Sequence, residues 1–76
     1  MGKQFDIESA IWQSAYSIHQ KYTVMDLAHN GHGIWSLAGE CLKDLVIPFE
    51  RHPLACKLMQ GMVEYYSGLY RDAHAA

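Results

Sequence analysis

Five histidines and two cysteines in a chain of 76 residues raise metal chemistry first. His29-x2-His32 and His52-x3-Cys56 have spacings that let two side chains reach one ion, and Cys41 lies between the pairs. Zinc asks for four N, S or O ligands around a single point. The segment between the pairs opposes this. It reads as a helix of about 13 residues, so it is ~20 Å long at 1.5 Å per residue, with one pair at each end. One copy does not bring both pairs to one ion; the ends of two antiparallel copies would be needed. Cys41 sits on an apolar face, where a free thiol behaves as a small hydrophobe. No metal and no cofactor is therefore expected. His29, His32, His52 and Cys56 are the residues a metal would have to use, with His29 otherwise against the end of the first helix and His32 exposed in a turn.

Nucleophilic catalysis needs a nucleophile, a base and an orienting group in one pocket. Ser9, Ser14, Ser17, Ser36, Ser67, Cys41 and Cys56 are the candidate nucleophiles, and none stands in a nucleophile elbow or a glycine-rich loop. Glu50-Arg51-His52 is a local charged cluster of the kind that water usually solvates. No phosphate-cradling GxGxxG or GxxxxGK[ST] motif is present. The expectation is a non-catalytic protein without a small-molecule substrate.

Nucleic acid is not the expected partner either. Lys3, Lys21, Lys43, Arg51, Lys57 and Arg71 are scattered, and they are outnumbered by eight acidic residues for a net charge of −2. A phosphate-seeking surface needs clustered positive charge. The third helix opens Pro53-Leu54-Ala55-Cys56-Lys57, an apolar start for an element that would have to read base edges.

Half of the residues are hydrophobic and 18% are charged, which excludes an intrinsically disordered chain. The length allows one domain, residues 1–76. Two cysteines do not make the disulfide framework of a small secreted domain, so a reducing cytoplasm is expected. The start Met1-Gly2-Lys3-Gln4-Phe5-Asp6 lacks the apolar stretch of a signal peptide. No apolar run approaches the ~18–20 residues of a membrane span, so no membrane partner is expected.

The elements that must position these residues follow from spacing. Ile11, Ala15, Ile18, Tyr22, Met25 and His29 recur every three or four residues, and Phe5, Trp12, Tyr16, His19 and Leu27 form a second stripe beside them. That period predicts a helix over about 6–29, capped by Asp6. Asn30-Gly31-His32-Gly33 reads as a turn, with Gly31 suited to the left-handed position after a helix. Ile34, Leu37, Ala38, Cys41, Leu42 and Leu45 predict a second helix over about 34–46, with Gly39 its weak point. Pro48 and Pro53 bracket a break. Leu54, Leu58, Met62, Tyr65 and Leu69, extended by Met59, Val63, Tyr66 and Tyr70, predict a third helix over about 53–72 opened by proline.

The fold class is therefore all-α, a small three-helix bundle. The apolar arcs of the first and third helices span roughly 200°, about twice what packing once against a core requires. A first helix of 24 residues would be ~36 Å long, longer than the roughly 30 Å diameter of a compact domain this size. Small cores also offset chain ordering only barely. The bundle is accordingly expected to be completed by a second copy, as a homodimer, or by a partner protein. The function expected is a protein–protein interaction module, in the form of a regulator, inhibitor or adaptor. Its docking residues are Trp12, Tyr16, Met59, Met62, Tyr65, Tyr66 and Tyr70. The alternatives are a small His/Cys metal-binding protein and a DNA-associated transcriptional regulator.

Overall fold

The computed structural model describes residues 2–75. It contains α1 (Gly2–Thr23), α2 (Gly31–Cys41) continued by a π-helical segment (Leu42–Val46), and α3 (Pro53–His74). The protein is all-α. Ile11, Ala15, Ile18 and Tyr22 are buried at spacings of four, three and four, which is why this stretch stays helical in the folded chain.

The first helix differs from the expectation at both ends. It already runs from Gly2, so Asp6 lies inside it and caps nothing. It stops at Thr23, six residues early, where the β-branched pair Thr23-Val24 lowers helix propensity. The apparent continuation through Met25 and His29 was periodicity without helix. A turn closed by Met25 N–H to Tyr22 O (3.1 Å) reverses the chain. Leu27 then drops into the core, where it is 2% exposed. That burial gains more than further solvated helix would.

α2 begins three residues before its expected start. Asn30 is the cap, its side-chain oxygen accepting from Gly33 N–H at 3.3 Å. Gly31 therefore opens this helix instead of closing the previous one, and no described glycine has a positive φ. Gly33 is needed for space: a Cβ there would collide with Leu27 Cδ2. Past Cys41 the helix widens, with Ile47 N–H bonded to Leu42 O at 2.9 Å. The wide turn holds Leu45 and Val46, neighbours in sequence, both in the interior.

The Pro48–Pro53 break is a tight loop. Glu50 (φ 54°) and Arg51 (φ 59°) both adopt the left-handed conformation that non-glycine residues rarely take. Arg51 N–H to Val46 O (2.9 Å) and His52 N–H to Phe49 O (3.0 Å) hold them there. His52 then caps α3, its Nδ1 accepting from Leu54 N–H at 3.1 Å, and Pro53 occupies the first turn. α3 runs two residues past the expected Asp72.

α2 runs opposite to α1 and α3, which are parallel to each other. Ile7 lies by the 48–53 loop, Trp12 by Leu58 and Met62, and His19 by Tyr66. At the far end Tyr70 covers Gly31. Ile11, Leu27, Leu37, Cys41 and Leu45 fill the centre of the core. Polar links tie the helices. Tyr22 Oη donates to Glu40 Oε1 at 2.9 Å, and Lys21 Nζ pairs with the same oxygen at 2.9 Å. Tyr66 Oη and His19 Nδ1 share a hydrogen bond of 3.2 Å between α3 and α1.

The shape is a rod of 50 × 18 × 17 Å with a radius of gyration of 13.4 Å. A compact chain of this length would have ~11 Å. Among the described residues no helix is long and apolar enough to cross a membrane.

Candidate protein-docking face

The wide apolar arcs of α1 and α3 are divided in the structure. One half of each packs on the core, and the other half faces solvent on the side away from α2. On α1 the solvent half carries Phe5 (69% exposed), Trp12 (55%) and Tyr16 (61%), spaced seven and four apart. On α3 it carries Tyr65 (61%) and Leu69 (38%), beside the half-buried Leu58 and Met62. The two stripes meet along the α1–α3 seam. There Trp12, Ala15, Tyr16, His19, Leu58 and Met62 enclose a shallow apolar depression of about 190 Å³, and no Asp, Glu, Lys or Arg lines it. The Tyr16 ring stacks on His19 at 6.2 Å. The Tyr65 ring meets Tyr66 edge-on at 5.1 Å, with Tyr66 anchored beneath by its bond to His19. Exposed rings thus stand on a fixed base.

Trp12, Tyr16, Met62 and Tyr65 therefore share one face. Three expected docking residues lie elsewhere. Tyr66, 4% exposed, belongs to the core. Met59 is half-buried against that core. Tyr70 points to the opposite groove, where it stacks on His74 at 4.1 Å and lines a second depression with Trp35 and Ile34. Trp35, 79% exposed, is the prominent ring on that side. Phe5, Leu58 and Leu69 also belong to this exposed face. The seven- and four-residue spacing from Phe5 through Trp12 to Tyr16 was the signal that could have placed Phe5 there.

The pairs His29/His32 and His52/Cys56 are not brought together, although the His29 ring lies 6.2 Å from that of His74. His29 Nδ1 pairs with Asp26 Oδ2 at 2.9 Å, away from the end of α1 where it was expected. His32 is exposed in the first turn of α2, and His52 is spent on its cap. Cys56 Sγ lies 3.7 Å from Arg51 O. No three His, Cys, Asp or Glu side chains among the described residues converge to hold a metal ion. Cys41 is fully buried, and burial pushes its thiol up to about 11. Both cysteines are free thiols.

Around Glu40 the electrostatics are those of a surface link. The hydrogen bond from Lys21 is the main reason the Glu40 carboxyl lies below its ordinary range, with burial opposing. The same bond raises Lys21. Tyr22 is raised chiefly by burial. No protein-family model matches the chain, and no curated protein or solved structure matches it.

Proposed function

We propose that this chain is a small non-catalytic protein–protein interaction module, acting as a regulator, inhibitor or adaptor. It docks onto a protein surface through the α1–α3 face. One observation carries the reading: Phe5, Trp12, Tyr16 and Tyr65 stand exposed on a single side of two parallel helices, around an uncharged depression. Aromatic side chains bring large, stiff contact area at low entropic cost and dominate binding hot spots. Helix faces of this kind dock by apolar anchors spaced three, four and seven apart. The bundle is completed when a protein covers this face. The two free thiols suit a reducing compartment such as the cytoplasm.

The test compares the wild-type chain with Trp12→Glu and Tyr16→Glu, each checked for helix content by circular dichroism. Retention of a protein binder, identical or foreign, by the wild type and its loss in both variants is the expected result. Retention unchanged by both substitutions, or no binder at all in the native cell extract, overturns the reading.

A further inference from the structure

We infer that the occupant of the α1–α3 face is a second copy of this chain, packed face to face so that α1 and α3 of the two copies form a four-helix core with each α2 outside. This rests on the interaction-module reading and specifies its partner. An isologous contact needs one patch that carries both a projection and a recess to receive it. This face has both. Tyr65 projects from α3, and next to it lies the depression between Trp12, Tyr16, Leu58 and Met62. Its volume of about 190 Å³ suits an aromatic ring, since an apolar cavity of about 150 Å³ accepts benzene. Gly61, one turn before Tyr65, has nothing within 4 Å of where a Cβ would sit, which leaves room for another helix to approach.

Area supports the same occupant. Fully displayed aromatic side chains carry ~150–250 Å² each. At their observed exposures Phe5, Trp12, Tyr16 and Tyr65 therefore offer roughly 500 Å². Leu69, Leu58 and Met62 bring the face toward the ~800 Å² that each partner covers in a standard interface. The whole chain presents 5435 Å² of surface, whereas a folded monomer of 8.6 kDa presents about 4,700 Å². The excess of about 700 Å² is close to one partner's share of such an interface. A depression with no charged side chain in its lining, beside a projecting ring of the same face, favours an identical chain over a partner selected by charge at that point.

Sedimentation equilibrium on the purified full chain tests this. At ~100 μM, far above a micromolar Kd for an interface of this size, the expected mass is twice that of one chain. Trp12→Glu and Tyr65→Glu, two independent variants in case one fails to fold, should each return it to the mass of one. Trp35→Glu, on the opposite groove, should remain paired. A wild type of single mass overturns the inference. If a foreign binder sensitive to Trp12→Glu is then still retained, the module reading survives alone. A pair that withstands both face variants, or is broken by Trp35→Glu and not by them, also overturns it.

Discussion

Tyr66 Oη and His19 Nδ1 lie 3.2 Å apart, 47 residues distant in sequence, and this bond ties α3 to α1. It sits just under the exposed rings of Tyr16 and Tyr65. Tyr66→Phe keeps the buried ring and deletes the bond. The expected cost is about 1 kcal/mol, a fall in Tm of ~4–8 °C for a domain this small. Thermal unfolding at one fixed chain concentration measures it. An unchanged Tm would show that the two groups contribute no net bond.

Two glycines on one helix should respond with opposite sign. At Gly33 a Cβ collides with the buried Leu27 side chain, so Gly33→Ala should destabilise by ~1–3 kcal/mol through overpacking. At Gly39 nothing lies within 4 Å. Gly39→Ala should stabilise by ~0.5–1 kcal/mol through helix propensity. Urea unfolding of the two variants side by side gives both signs.

The left-handed pair Glu50 and Arg51 holds strain that glycine would relieve. The strain is ~1–2 kcal/mol per residue, against ~0.5–1 kcal/mol of added chain entropy for glycine. Arg51→Gly should therefore be stabilising by about 0.5–1 kcal/mol, read as a higher urea midpoint. A lower midpoint would mean that the Arg51 side chain contributes more than its backbone costs.

Acid should weaken the fold through Glu40. Its folded-state pKa is depressed by the Lys21 bond, so its contribution is complete above the ordinary value of 4.5 and is lost as pH falls through the lower folded value. Lys21 has the opposite sense. Raised above 10.5, it contributes below that pH and loses the contribution as pH rises further. Glu40→Gln should flatten the stability profile between pH 5 and the acid limb. An acid limb as steep as that of the wild type would exclude Glu40 as its source.

The Cys41 thiol, pushed up to about 11, stays protonated in the folded chain at pH 8. Thiolate is the reactive form. A chromogenic disulfide reagent should modify one thiol quickly, the half-buried Cys56, and Cys41 only as the chain unfolds. Above pH 9.0 the unfolded state releases this proton and the folded state does not. Stability should therefore decline between 9.0 and about 11, and less so in Cys41→Ala. Two equally fast thiols would contradict the burial.

Much of the architecture could be read from spacing alone. The 4-3-4 recurrences in α1 and α3 and the Pro48/Pro53 brackets gave three helices and the start of the last. The misplaced boundaries share a cause. Met25 and His29 fall on the helical period by accident, and only the tertiary fate of Leu27 shows that the chain has turned. Asn30 was a visible cap signal, but the neighbouring glycines read as a helix end. Nothing in Leu42–Val46 or in Glu50-Arg51 announces a widened turn or a left-handed pair, because neither follows from propensity. The candidate docking face was half legible. A 200° apolar arc says that surplus surface exists, but not which half packs inward. Tyr65 and Tyr66 differ by only 100° around α3, yet one is displayed and the other enclosed.

The parallel course of α1 and α3 has an electrical consequence. Peptide dipoles add along each helix, and the shorter α2 opposes only part of the two 22-residue helices. The rod therefore carries a net axial moment, positive where Phe5 and Pro53 lie and negative toward Thr23 and His74. Two rods packed side by side in opposite directions would cancel this helix-dipole contribution, so electric birefringence should show a smaller permanent-dipole response for such a pair than for a lone rod.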